Sequence, residues 1–299
     1  MIPIARGRMA ALVLLASLPA SLARAHGIAG ARFFPATLTV DDPAVADELS
    51  LPTISHLEGE GTQTDISGEY SKRLTSTLGV SVGETWTHLK VDGQPAASGF
   101  QNLETTLKWQ AVTSAQHEAI LALGVSAEWS GTGAAGVGAE AHSTFTPTIY
   151  FGKGAGDLPT SLGWARPFAL TGQLGYAIPG RRQDPGEVDP NPRVLKWGLT
   201  LQYSLPYLQS QVRDLGLPQP FAGMTPLVEA SFETPLTGPD RRTTGTINPG
   251  VIWAGTHFQI GAEALVPVNR ESGRHVGAVI QFHLFLDDLF PHSIGKPIW

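Results

Sequence analysis

Alternation of apolar and polar residues at every second position is the feature that most constrains the fold of this chain. In the segment from His275 to Leu286 (HVGAVIQFHLFL), every second residue from Val276 onward is apolar, whereas Gln281 and His283 occupy the other register. Side chains alternate across a β-strand, so one face of this segment is wholly apolar and the other is mixed. The pattern recurs about a dozen times, which predicts a sheet in which each strand has an apolar face.

The segments have the length that a membrane-spanning strand needs. About ten to twelve residues, at roughly 3.3 Å per residue and a tilt of about 40°, cover the apolar belt of an outer-membrane barrel. The sequence therefore predicts a transmembrane antiparallel β-barrel of about twelve strands, with ten or fourteen as alternatives. The predicted strands are residues 47–56, 65–73, 77–88, 101–113, 118–129, 142–151, 167–178, 193–205, 226–234, 243–253, 257–266 and 275–286.

Connection lengths support this topology in part. Bacterial barrels alternate short periplasmic turns with long outer loops. Residues 89–100 are predicted as a long outer loop, but 152–166 and 206–225 are long on the side that should carry short turns. The second of these is expected to contain strand extensions or a small helix at 207–215.

A large soluble β-sandwich also produces alternating strands and is the competing fold. A sandwich needs polar residues on the outer face of its strands, whereas the apolar faces here carry almost no charged residue at their centres. A mean hydropathy near zero does not separate the two folds, because lipid-facing and lumen-facing residues average out in a barrel. The barrel is the interpretation that the faces favour.

The N-terminus has the pattern of a secretory signal peptide. Arg6 and Arg8 precede the apolar run 9–18, and the Ala23-Arg24-Ala25 motif suits signal peptidase, which makes His26 the expected mature N-terminus. No later segment has about 18 consecutive apolar residues. The expected organisation is a signal peptide at 1–25, a plug or periplasmic segment at 26–46, the barrel at 47–286 and a periplasmic tail at 287–299.

Charge and cysteine content limit the function further. The chain has no Cys, and its 26 acidic residues exceed its 20 basic ones, three of which lie in the signal peptide. Nothing basic indicates nucleic-acid binding. Charged residues on the predicted inner faces are candidates for a solute pathway that favours cations or neutral solutes, with a structural hydrogen-bond network as the alternative. They are Glu69, Glu104, Lys108, Glu118, Glu128, Lys196, Glu229, Glu233 and Glu263.

Metal and catalytic motifs are weak. His26, as a terminal amine with its own imidazole, is the one copper candidate, but the other histidines show no ligand spacing, and no cofactor is expected. His142 and Ser143 are neighbours that point to opposite faces, and there is no GxSxG motif. Glu229 and Glu233 lie about 13 Å apart along a strand, too far for a glycosidase pair. The sequence does not predict an enzyme.

Three stretches carry a family resemblance. Residues 33–53 (FFPATLTVDDPAVADELSLPT), 69–74 (EYSKRL) and 285–297 (FLDDLFPHSIGKP) resemble the outer-membrane transporters grouped as "MetA-pathway of phenol degradation" proteins. The rest of the mature chain is similar in architecture only. The resemblance implies a transporter or channel, linked in some members to uptake of aromatic or apolar compounds, and it supplies no catalytic residues.

The expected function is an outer-membrane channel that passes small solutes, with apolar or aromatic compounds among the candidates. Phe33 and Phe34 are the residues expected to plug its lumen. The expected partners are outer-membrane lipid and lipopolysaccharide, the barrel assembly machinery and a small-molecule solute. A structural or assembly-related barrel with a filled lumen and an envelope hydrolase remain the alternatives.

Overall fold

The computed structural model describes residues 27–59, 61–91 and 93–299. The predicted signal peptide and His26 lie outside the described residues. The strands are β1 (Ile28–Ala29), β2 (Arg32–Phe33), β3 (Glu48–Glu58), β4 (Gly61–Arg73), β5 (Leu78–Val91), β6 (Ala97–Phe100), β7 (Leu103–Ser114), β8 (Ala119–Trp129), β9 (Thr144–Gly154), β10 (Phe168–Pro179), β11 (Val194–Tyr203), β12 (Met224–Pro235), β13 (Thr244–Ala254), β14 (Phe258–Pro267) and β15 (Gly277–Phe285).

Strands β3 to β15 form one closed antiparallel barrel. Each strand pairs with the next, except that β6 and β7 both pair with β5, and β15 pairs with β3 to close the sheet. Strands β6 and β7 occupy successive positions along β5, so the barrel has twelve strand positions. The predicted twelve-stranded barrel is therefore confirmed. A closed sheet has no edge strand, so its backbone N–H and C=O groups are hydrogen-bonded between strands. Lipid could not form these hydrogen bonds.

The wall is apolar outside and polar inside. Thr87, Thr171, Thr200 and Gln259 are fully buried and point inward, whereas apolar side chains of the same strands are exposed. Aromatic residues cluster near the strand ends, including Trp197 stacked on Phe232. This distribution is the reverse of a soluble core and matches a barrel surrounded by lipid. The exposed apolar residues include Val82, Leu107, Leu123, Ile149, Leu174, Leu201, Val228, Ile247, Ile260 and Ile280.

Two parts of the wall differ from the predicted strands. The predicted outer loop at 89–100 is instead paired structure, because β5 extends to Val91 and β6 folds back on it. Gly93, at the turn between the two strands, has a φ of 78°, a conformation that glycine adopts readily. Pro52 lies at a register shift in β3, where a missing N–H does not interrupt a ladder.

The two ends of the barrel are unequal. We call the end where β3 begins and β15 ends the terminal mouth, and the opposite end the distal mouth. The long connections at the terminal mouth contain short helical turns: a 3-10 helix at Thr160–Ala165, then α1 (Leu205–Tyr207), a π-helical turn at Leu208–Val212 and a 3-10 helix at Phe221–Gly223. The last helix is α2 (Leu286–Leu289), after β15. None of the helices in the described part of the chain could cross a membrane.

Candidate functional site

Residues 34–46, which we call the inner segment, lie inside the barrel between the β1–β2 hairpin and β3. Val40 is fully buried and lies against Gly198 of β11, while Val45 lies against Gly79 of β5. The middle of the segment therefore contacts opposite parts of the wall. Both of its ends lie near the terminal mouth. It narrows the lumen from that side.

A carboxylate of the wall holds the turn of the inner segment. Glu229 of β12 is fully buried and accepts the backbone N–H groups of Leu38, Thr39 and Val40 at 2.7 to 2.9 Å. It also accepts the hydroxyl of Thr39 at 2.6 Å. Four donors converging on one carboxylate form a charge-assisted anchor in a water-poor environment.

A second anchor is formed by Lys108 of β7. Its Nζ donates to Oδ2 of Asp41 at 2.8 Å and to the backbone oxygen of Asp42 at 3.0 Å. The ammonium also lies 4.5 Å from the centre of the Tyr150 ring, within cation–π range. Lys108 therefore binds the inner segment, and its charge is paired with Asp41.

Glycines in the wall make room for the inner segment. A Cβ at Gly198 would lie 2.6 Å from Cγ2 of Val40, and one at Gly261 would lie 2.5 Å from Cδ1 of Leu38. Such distances are shorter than real Cβ contacts, so a side chain at either position would displace the segment. The lumen wall and the inner segment are complementary in shape as well as in charge.

The β1–β2 hairpin is fixed at the terminal mouth by Arg32. The side chain is 1% exposed, donates to Glu118 at 3.1 Å and to the backbone oxygens of Arg166 and Pro167, and stacks on Tyr207. Tyr207 donates to the other oxygen of Glu118 at 2.7 Å. Burial and that hydrogen bond raise the pKa of Tyr207, so the phenol retains the proton that it donates. These contacts join the hairpin to the connections between β7 and β8, between β9 and β10, and between β11 and β12.

The C-terminal tail packs against the wall at the same mouth. Asp47, fully buried, pairs with Lys72 at 2.5 Å and with Arg73 at 2.7 Å. The same two side chains donate to backbone oxygens of Ile294, Gly295 and Lys296. The start of β3, the end of β4 and the tail are thereby joined in one network.

Above the inner segment, the lumen contains two polar cavities of about 350 and 420 Å³. Both are lined by Ser50, Ser67, Glu69 and Glu104, so they share a wall. The larger cavity extends to Glu140 in the loop between β8 and β9, toward the distal mouth. Hydroxyl and carboxylate groups dominate both linings.

The structure separates the predicted lumen residues into two groups. Glu69, Glu104, Glu128 and Lys196 line the cavities. Lys196 lies between Glu128 at 3.3 Å and Glu233 at 3.7 Å. The residues Glu118, Glu229, Glu263 and Lys108 line neither of these cavities: Glu118 binds Arg32, Glu229 and Lys108 bind the inner segment, and Glu263 is buried in β14.

The predicted plug residues occupy different environments. Phe34 is 1% exposed and packs with Ala29, Ile120 and Ala169. Phe33 packs edge-on against Phe285, with ring centres 6.3 Å apart. Both rings lie toward the terminal mouth, whereas the turn of the inner segment that reaches farthest into the lumen carries Leu38, Thr39 and Val40. The sequence did not single out these three residues, because isolated apolar and hydroxyl side chains outside a strand form no pattern that predicts a place in the lumen.

A hydrolase arrangement is incomplete in the described residues. His142 Nδ1 lies 2.8 Å from Asp184 Oδ2, which is the orientation of a base and its carboxylate partner. Within 27–59, 61–91 and 93–299, however, no serine hydroxyl bonds to His142. Ser143 bonds instead to Ser130 at 3.1 Å.

No family model matches the sequence, and no curated relative matches it. Solved structures do match. The crystal structure of an outer membrane channel from Pseudomonas putida F1 superposes with a TM-score of 0.56 at 12% identity, covering 85% of this chain and 99% of that one. A KdgM porin (TM-score 0.47, 10% identity, 78% and 97% covered) and a NanC porin (0.47, 8%, 78% and 98%) are also similar. The likeness to the channel shows the fold, that of an outer-membrane β-barrel.

Proposed function

We infer that this protein is an outer-membrane channel for small polar solutes, and that its lumen is narrowed by the inner segment. The observation that carries the proposal is the pair of polar cavities between the inner segment and the distal mouth. Their volumes are those of sites that hold small molecules. The resemblance of residues 33–53 to transporters of the "MetA-pathway of phenol degradation" type supports a transport role.

The charges around the cavities favour cations over anions. Lys196 is neutralised by Glu128 and Glu233, and Lys108 by Asp41. Among the described residues, Glu69 and Glu104 form no ion pair and hydrogen-bond only to hydroxyls. An acidic lumen concentrates cations and repels anions.

The polar lining of the cavities does not favour aromatic or apolar solutes. The shared wall consists of Ser50, Ser67, Glu69 and Glu104, with Thr106 and Thr148 nearby in the smaller cavity. An apolar solute would gain little by leaving water for such a surface. Polar solutes are therefore the class that the lumen suits best, and aromatic solutes remain the alternative given by the resemblance.

A barrel with a permanently filled lumen is the second candidate. The Glu229 anchor and the Arg32 network favour it, because both hold the inner segment against the wall. A channel requires that this segment move or leave a path beside it.

A reversible cross-link separates the two candidates. The chain has no Cys, so Val40→Cys with Gly198→Cys would create a single thiol pair. A Cβ placed at residue 198 would lie 2.6 Å from Val40 Cγ2, a methyl group whose place the bonding sulfur takes in Val40→Cys. For a channel with a movable inner segment, single-channel conductance in planar bilayers falls on oxidation and returns with reductant. The Val40→Cys single variant controls for oxidation. A reduced protein without conductance contradicts the channel.

The effect of the cavity carboxylates on ion selectivity can be measured separately. Glu69→Gln combined with Glu104→Gln is expected to move the reversal potential in a KCl gradient toward zero, because both carboxylates line both cavities. The matched control is Glu187→Gln, an exposed carboxylate in an outer loop. An unchanged reversal potential in the double variant would show that these carboxylates do not set selectivity.

A further inference from the structure

Two loops at the distal mouth meet through a histidine and a carboxylate that are far apart in the sequence. His142 ends the loop between β8 and β9, and Asp184 lies in the loop between β10 and β11. His142 Nδ1 lies 2.8 Å from Asp184 Oδ2 and 3.8 Å from Glu140 Oε2. One potential ligand atom from each of the three residues lies within 4.8 Å of the others.

Burial distinguishes this cluster from ordinary loop charges. His142 and Asp184 are each 8% exposed, although both lie in loops at the distal mouth. Asp184 Oδ1 is buried and has no donor at hydrogen-bonding distance among the described residues, with the side-chain amide of Asn191 nearby. Arg181 Nη1 forms an ion pair with this oxygen at 3.6 Å, from a side chain that is 54% exposed. A buried carboxylate oxygen without a donor is costly unless a further group binds there.

We propose that Glu140, His142 and Asp184 form a binding site for a divalent transition-metal ion of the Zn²⁺ type. One imidazole nitrogen and two carboxylate oxygens are ligands that Zn²⁺ accepts, whereas Ca²⁺ and Mg²⁺ select all-oxygen sets. Ligand atoms about 2.0–2.1 Å from a tetrahedral ion lie about 3.4 Å apart. The separations of 2.8 and 3.8 Å bracket that value, so small side-chain rotations bring the three atoms to an ion.

Metal binding at this cluster would link the two loops. The ion takes the place of the hydrogen bond between His142 Nδ1 and Asp184 Oδ2, the proton of that hydrogen bond is released to solvent, and water fills the fourth position. Glu140, whose side chain is 59% exposed, then becomes ordered on the ion. The loops between β8 and β9 and between β10 and β11 would be held together at the distal mouth.

Zinc titration of the tag-free barrel in detergent tests the site. Isothermal titration calorimetry should show one Zn²⁺ ion bound per protein. The affinity for this ion should fall more than tenfold in His142→Gln and in Asp184→Asn, and by a smaller factor in Glu140→Gln. His275→Gln, at an exposed histidine in another loop of the distal mouth, should leave the affinity unchanged. Heat-modifiable gel mobility confirms that each variant is folded. Binding that is equal in the wild type and in the His142→Gln, Asp184→Asn double variant overturns the proposal.

Proteolysis gives an independent measurement. Arg181 and Arg182 are exposed next to Asp184, and Arg241 and Arg242 are exposed in the loop between β12 and β13. Zinc should slow tryptic cleavage at the first pair relative to the second, which serves as an internal control for effects on trypsin. Equal slowing at both pairs, or protection that persists in Asp184→Asn, contradicts a metal link between the loops.

Discussion

Replacing Glu229 by Gln is expected to release the inner segment from the barrel wall. The carboxylate accepts three successive backbone N–H groups and the hydroxyl of Thr39 at 2.6 to 2.9 Å. Glutamine offers one carbonyl oxygen, and its amide nitrogen cannot accept a hydrogen bond from the N–H groups of the inner segment. About two of the hydrogen bonds are lost, and those that remain are no longer charge-assisted.

The size of the effect follows from these contacts. A hydrogen bond to a charged group contributes about 1.5–3 kcal/mol, so loss of two costs about 3–6 kcal/mol. Since about 1.4 kcal/mol corresponds to a factor of ten, the released population should rise at least about a hundredfold.

A thiol at Val40 reports the release. Val40 is fully buried against the wall, and the chain has no other Cys, so labelling of Val40→Cys by a maleimide follows the released population. Glu229→Gln should accelerate labelling at least about a hundredfold. Glu233→Gln is the matched control, because it lies on the same strand and pairs with Lys196 instead. An acceleration below about threefold in Glu229→Gln would refute the anchoring role, since about 1.4 kcal/mol corresponds to a factor of ten.

Three further predictions concern the terminal mouth and the wall. Arg32→Met should leave Glu118 buried without its cation, at a cost of about 3–5 kcal/mol, and expose the hairpin to limited proteolysis. Gly198→Ala should destabilise the inner segment by about 1–3 kcal/mol, read from the same thiol labelling, whereas Gly136→Ala, which has free space, should not. Asp47→Asn should weaken the pairing with both cations and lower the temperature at which heat-modifiable mobility is lost.

Each of these predictions has a contradicting outcome. Unchanged proteolysis of Arg32→Met would mean that the backbone contacts of β1 and β2 hold the hairpin without the ion pair. Equal labelling in the Gly198→Ala and Gly136→Ala backgrounds would exclude close packing at Gly198. An unaltered transition temperature in Asp47→Asn would show that the tail network adds nothing to barrel stability.

The strands could be predicted because their signal is local. Alternation in β8 or β11 is visible within ten residues, and lipid outside the barrel permits no exception on the outer face. The pairing of β15 with β3 followed from the need to close the sheet. By contrast, β6 was missed because its four residues, ASGF, are too few to establish a period.

The division of the lumen carboxylates could not be predicted. Glu69, Glu118 and Glu229 have the same residue type and fall in the same predicted inward register, yet of these three only Glu69 lines the cavities. The difference lies in what stands opposite each side chain, which depends on the path of the inner segment.

The sequence by itself determined the barrel, its apolar outer face and its polar inner one, since these depend on side-chain alternation and on the solvent that each face meets. Only the tertiary structure decided which carboxylates bind the protein and which line the cavities. The approach of His142 to Asp184, 42 residues away, is another such case, because loop geometry sets it and no local pattern encodes it. Long-range contacts of this kind arise from closure of the barrel, which brings together loops that the sequence keeps apart.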